Sequence, residues 1–151
     1  MAKKVRQKPT IGWREWAAMP AFGVEAIKAK IDTGARTSAL HAYGLKTKSV
    51  DDHTIAFFEI HPIQRSAAKP VAVEVPISGW RTVTSSNGVS ESRPFIVTPI
   101  TIGALTWDIE VTLARRDEMG FRLLLGRQAV RRRFLIDPGR SFLTPRSPKE
   151  D

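Results

Sequence analysis

Apolar residues in this chain gather in short runs, at 26–31, 54–60, 71–75, 95–100 and 107–113, bounded by Gly, Pro, Asn, Asp or Ser. Runs of that length between turn residues predict strands rather than helices. Thr54-Ile55-Ala56-Phe57-Phe58-Glu59-Ile60 and Val71-Ala72-Val73-Glu74-Val75 each keep at least one face apolar, as the wall of a compact barrel requires. Gly103-Ala104 reads as the tight turn of a hairpin between two of these strands. Helical character is confined to 126–133, which opens at Gly126, is rich in helix formers and ends on three arginines, a charge that suits the negative end of a helix dipole. The pattern predicts a mostly β fold, a small closed β-barrel with one short C-terminal helix, without internal repeats or low-complexity segments.

A length of 151 residues suits a single domain, and 42% hydrophobic with 26% charged residues is a globular composition. The ends are expected to be flexible tails, a basic one at 1–10 and a Pro-containing one at 144–151, leaving 11–143 as the folded domain. No apolar window is long enough for a membrane span, and no apolar stretch follows Met1-Ala2-Lys3-Lys4 as in a signal peptide, so a cytoplasmic protein with no membrane partner is expected. The absence of cysteine excludes disulfides, a thiol nucleophile and cysteine-ligated zinc. Lys and Arg number 24 against 15 acidic residues, a net charge of +9, which calls for an acidic partner. Charge alone does not separate an acidic peptide from a nucleic acid.

Two segments carry candidate chemistry. Asp32-Thr33-Gly34 follows the apolar end of a predicted strand and opens a polar turn, presenting a carboxylate at the lip of a barrel. Gly34 lets the backbone turn sharply there. An ordinary turn satisfies the same three residues. Far downstream, Leu123-Leu124-Leu125-Gly126-Arg127 describes a fully buried strand whose glycine passes close to another backbone. Alone it is a core strand with a turn; in this order, the two segments match a known pair.

Together they resemble the retropepsin-like aspartic peptidases, in which a strand ending Asp-Thr-Gly-Ala is backed by a later apolar-apolar-Gly-Arg. The closer resemblance is to a bacterial family formerly labelled ATP-dependent zinc proteases and associated with glutamate ligases of the ATP-grasp type. It extends over about 11–143, through Ile11-Gly12-Trp13-Arg14-Glu15-Trp16, the block from Ala29 through Asp32-Thr33-Gly34-Ala35-Arg36-Thr37-Ser38 to Ala42, Thr112-Leu113 with Arg116 and Met119, and Leu124-Leu125-Gly126-Arg127. The resemblance implies a barrel of the acid-protease type and an aspartic endopeptidase acting on a peptide or protein. Asp32 would be the catalytic carboxylate, Thr33 a brace between paired loops, and Gly34 the point where substrate backbone passes. Leu125, Gly126 and Arg127 would be buried support. One Asp-Thr-Gly per chain supplies one carboxylate where the mechanism needs two, so a homodimer is expected.

Ser85-Ser86-Asn87-Gly88 resembles a flap tip, since Asn-Gly favours a tight hairpin, although a plain surface hairpin reads the same. Ala35 and Arg36 are expected to line the substrate groove. Retroviral relatives usually carry an acidic residue where this chain has Arg36, whose planar fork suits a substrate carboxylate. A solvated loop arginine is the competing reading. With Arg81 and Arg93 beside the flap, Arg36 favours an acidic or glutamate-rich substrate, and a functional link to the glutamate ligase follows from the resemblance. The change at 36 also deprives Arg127 of an acidic partner, leaving Asp117, Glu118 or Asp137 to serve. No metal and no cofactor are expected: there is no His-Glu-x-x-His, His41, His53 and His61 lack metal-ligand spacing, and no phosphate-binding glycine loop occurs. Two alternatives remain, a non-catalytic basic barrel that binds acidic peptide or, less favoured, nucleic acid, and a regulator of the ligase.

Overall fold

In a computed structural model, described for residues 7–63, 66–85, 87–115 and 120–145, the period-two pattern of the sequence becomes a barrel wall. In β2 (Val24–Asp32), Ile27, Ala29 and Ile31 point into the core while Lys28 and Lys30 stay partly exposed. The other elements in chain order are β1 (Thr10–Met19), β3 (Ser38–His41), β4 (Tyr43–Val50), β5 (His53–Ile60), β6 (Val71–Pro76), β7 (Gly79–Thr84), β8 (Ser90–Ile102), β9 (Leu105–Ala114), β10 (Leu123–Gly126), the single helical turn α1 (Arg127–Val130) and β11 (Leu135–Ser141). β1 precedes β2, and a 3-10 turn at Pro20–Phe22 links them.

Six strands close on themselves in the order β1-β2-β10-β3-β9-β8, the ring being completed by the pairing of Ala18 in β1 with Thr101 in β8. Closure removes two sheet edges that would otherwise expose unpaired backbone groups. β11 joins β1 in parallel on one side, and β7 joins β8 as an antiparallel arm on the other. β4, β5 and β6 form a separate antiparallel sheet, yet Ala56, Phe58 and Ile60 belong to the same hydrophobic cluster as Ile27, Leu40 and Leu125, so among the described residues the two sheets share a core. Among the described residues, no helix is long and apolar enough to cross a membrane.

The five apolar runs are all strands, longer than expected, the buried strand expected at 123–125 is β10, and Gly103 takes the positive φ (58°) that the hairpin between β8 and β9 requires. The hairpin expected around Asn87-Gly88 is formed by β7 and β8, whereas β1, β3, β4 and β11 were not legible. β4 is mostly exposed and polar, β11 contains Pro138 and Gly139, and β1 carries a glutamate on its buried face. The helix expected over 126–133 is one turn only: Arg131 N–H bonds back to the Arg127 carbonyl, but Arg131 itself, at ψ 142°, has already left helical space, and Arg132 follows at φ 68°.

That buried glutamate, Glu15, ties the segment that follows the last strand to the first strand. It is fully buried, and its carboxylate accepts the N–H groups of Gly12 (2.7 Å), Leu143 (2.9 Å) and Thr144 (3.1 Å) and the hydroxyl of Thr144 (2.8 Å). A charge can be buried this deeply because every donor is aimed at it. Gly12 is obligatory, since a Cβ there would lie 2.2 Å from the Arg140 carbonyl oxygen. Thr144, allotted to a flexible tail by sequence, is thus hydrogen-bonded twice, and Leu135 N–H reaches the Pro9 carbonyl. Glu15→Gln turns one acceptor oxygen into a donor facing other donors. It is expected to cost about 1.5–3 kcal/mol, read as a lower urea midpoint with an unchanged m-value.

Candidate active site

Asp32 ends β2, where the strand gives way to a turn whose geometry the carboxylate itself fixes. Its Oδ1 accepts the N–H of Gly34 (3.0 Å) and of Ala35 (3.3 Å), and Ala35 N–H also lies 3.2 Å from the Asp32 carbonyl. Oδ2 has no protein donor among the described residues, so one oxygen is tied down and the other is open to a water or a second carboxylic acid. A side chain at 34 would crowd this group, because a Cβ there falls 3.2 Å from Oδ1. Thr33 and Gly34 are exposed and Ala35 is half-buried, which puts the turn at the surface.

Behind the turn runs β10, parallel to β2 with Gly126 in register with Asp32. Leu125 is fully buried. The approach is as close as two backbones allow: a Cβ on Gly126 would stand 2.6 Å from both the carbonyl carbon and oxygen of Thr37 and 2.9 Å from the Ala35 oxygen. Contact is then used for bonding. Arg127 N–H donates to the Ala35 carbonyl (2.7 Å), Gln128 N–H to the Arg36 carbonyl (3.2 Å), and Gly126 N–H to Ser38 Oγ (3.1 Å). Ser38 is itself held by Thr112, whose buried hydroxyl donates to the Ser38 carbonyl (2.9 Å).

Arg127 departs from the expectation of buried support. It is exposed, and its Nη1 donates to the Thr33 carbonyl at 3.3 Å, so it needs no acidic neighbour. Of the three acids offered as its partner, Asp137 accepts its own turn's Gly139 N–H, and Asp117 and Glu118 lie outside the described residues. Arg116 and Met119 lie outside them as well.

Arg36 is exposed and lines a cavity of about 360 Å³ with Thr37, Arg81, Thr82, Glu110 and Gln128. The arm formed by β7 and β8 therefore meets the Asp32 loop across this hollow. At the tip of the arm Ser85 and Val89 pair (2.8 Å) around Asn87 and Gly88, the latter at φ 84°; Ser86 falls outside the described residues. Neither Arg81 nor Arg93 is a spare cation. Arg81 Nη2 contacts both carboxylate oxygens of Glu110, and buried Arg93 is paired with Glu91.

The histidines do something else. His41 and His61 sandwich the ring of Tyr43, with centroids 3.7 Å and 3.6 Å away, and Arg122 lies over the same ring at 4.9 Å. Burial pushes the Arg122 guanidinium below its usual pKa. Among the described residues no three His, Cys, Asp or Glu side chains gather as a metal would require. Sequence reasoning missed Ser38, Thr112 and Glu110; the hydroxyls look like ordinary polar residues until the strands that bring them together are known.

Comparison with known proteins places these features in context. The family model described as the retropepsin-like aspartic endopeptidase RimB matches residues 10–147. A probable alpha-L-glutamate ligase of Shewanella pealeana is 45% identical over 132 residues, 87% of this chain and 29% of that protein. One from Parasynechococcus marenigrum is 39% identical over 132 residues, 87% of this chain and 28% of that protein. The chain thus spans less than a third of the length of the curated relatives it matches. The crystal structure of a protein of unknown function from Legionella pneumophila superposes with a TM-score of 0.73 at 24% identity, covering 92% of this chain and 100% of that one, a likeness of fold.

The tight crossing at Gly126 is testable. Gly126→Ala forces the backbone of 35–37 outward and is expected to cost about 1–3 kcal/mol, with the largest amide chemical-shift changes in residues 33–38 rather than in the second sheet.

Proposed function

Because the chain belongs to the retropepsin-like aspartic endopeptidase RimB family, we propose that it hydrolyses peptide bonds with a water activated between two Asp32 carboxylates, one from each of two copies. The observation that carries this reading is the Asp32 turn itself. The carboxylate is oriented by two N–H groups at a surface turn, backed by a glycine that admits no side chain. Two such groups brought together share one proton, because two negative charges at hydrogen-bond distance repel strongly. The ionised member takes a proton from water, whose oxygen attacks the peptide carbonyl carbon, while the protonated member donates to the carbonyl oxygen. Collapse of the tetrahedral intermediate returns a proton to the departing nitrogen and breaks the C–N bond. No covalent enzyme intermediate forms.

The second copy meets the first through the exposed Thr33 and Gly34 turn in this reading. The terminal strands are already engaged within the chain, β1 with β11 and Glu15 with 143–144, so pairing of chain ends is not the expected contact. The substrate is an acidic, glutamate-rich peptide. Support comes from the net charge of +9 and from Arg36, which faces the hollow beside the Asp32 loop with no acidic partner among the described residues. A functional link to a glutamate ligase is supported by the relatives' printed names and by their greater length. It also keeps a second reading in play, in which the domain regulates such a ligase. Peptide hydrolysis by the isolated chain separates the two.

Asp32→Asn is expected to abolish peptide hydrolysis while leaving the unfolding midpoint nearly unchanged; wild-type turnover by the variant sinks the assignment. Activity per subunit should fall on dilution below the dimer dissociation constant and recover on concentration, whereas a constant value across that range speaks for a monomeric enzyme. Glutamate-rich peptides should be cut faster than neutral or lysine-rich ones of equal length, with a preference that weakens in high salt and is largely lost in Arg36→Ala. Each exposed contact is worth only about 0.2–1 kcal/mol, so the change expected in Arg36→Ala is severalfold rather than a thousandfold.

A further inference from the structure

We propose that the hollow beside the Asp32 loop is a subsite for two carboxylates, of which Arg36 is the open half and Arg81 the half that the chain's own Glu110 keeps occupied. This rests on the acidic-substrate reading and says how that substrate is recognised.

The chemistry of the lining is one-sided. Arg36 and Arg81 line it with the polar residues Thr37, Thr82 and Gln128, against one acidic residue, Glu110. Such a surface collects anions, and Glu110 sits where a ligand carboxylate belongs. Its hold on Arg81 is the weaker of the available geometries. Both Glu110 oxygens lie on one nitrogen, Nη2, at 2.9 Å and 3.1 Å, rather than on two nitrogens of the planar fork. The rest of the guanidinium stays open to an incoming carboxylate, and its central carbon lies 4.3 Å from the centroid of the Phe95 ring. Both partners are well exposed, 45% and 41% for the side chains, so the pair is screened by solvent and exchanges readily.

The consequence is a selective filter. A neutral side chain entering the hollow has nothing to offer Arg81 and leaves its pair with Glu110 in place. A carboxylate can take the two-nitrogen fork and release Glu110 to water. Glu110 is thus a specificity-determining residue that competes with the substrate for the same cation.

The test is equilibrium binding of a glutamate-rich peptide by calorimetry at low salt, in the Asp32→Asn background so that the peptide survives. It reads recognition whether or not wild type cuts the peptide. Glu110→Gln is nearly isosteric and is expected to tighten binding roughly two- to fivefold. Arg81→Ala should weaken binding, and Glu110→Gln added to it should bring no such gain. Glu74→Gln, the same charge change on β6 of the separate sheet, should leave affinity unchanged. An equal gain from Glu74→Gln, a gain that persists without Arg81, or no gain at all overturns the proposal. If Arg36→Ala weakens binding while Glu110→Gln is silent, the proposal is overturned and the acidic-substrate reading stands. If the peptide binds no better than a neutral one to any variant, the acidic-substrate reading falls with it.

Discussion

A single van der Waals constraint organises this molecule, the meeting of Gly126 with the carbonyls of Ala35 and Thr37. No residue with a side chain can stand there, because its first carbon would lie 2.6 Å from a peptide group. The glycine lets β10 slide between β2 and β3, and everything near the candidate site inherits its position from that insertion. The next two N–H groups of the chain become donors to the loop, Ser38 and Thr112 fill the remaining hydrogen bonds, and Asp32 is left at the end of a strand that cannot shift. Packing of apolar residues stabilises the barrel, but steric fit and a few buried polar bonds decide where the carboxylate points.

Electrostatics is arranged in a second pattern. A net charge of +9 gives the impression of an evenly basic surface, yet two of the arginines nearest the arm are matched by Glu110 and Glu91, and a third, Arg127, is spent on a carbonyl. What distinguishes Arg36 is therefore not that it is cationic but that it makes no ion pair among the described residues, the Glu110 that shares its hollow being engaged with Arg81. Long-range attraction by the whole surface and short-range choice by one or two side chains are separate properties, and only the first can be counted from composition.

The barrel and its carboxylate were legible because both are written locally. Short apolar runs fix the strands, and a strand that ends in Asp-Thr-Gly has little choice but to turn. The order of the Asp32 and Gly126 segments carried the fold type. What escaped was non-local. β11 looks like a loop because it contains Pro138 and Gly139, yet it is a strand at an edge, where a missing donor costs little. Glu15 looks like a surface residue and is fully buried, its donors lying in residues 143–144 as well as at Gly12 of its own strand. Arg127 was expected inside because the family resemblance grouped it with Leu125 and Gly126 as buried support; the chain turns into α1 at that point and carries it to the surface.

The Glu15 clamp also sets an order of events during folding. Three of its four hydrogen bonds span 128 or 129 residues, and the β1 pairing with β11 spans nearly as many. While the chain is being made, β1 can find β2 within a hairpin's length, but its other edge and its carboxylate wait for the last strand to emerge. Loop closure over so many residues is entropically late and slow. The ring itself can close only once β10 at 123–126 has been made, and the seam of β11 and the Glu15 carboxylate depends on the residues that follow it.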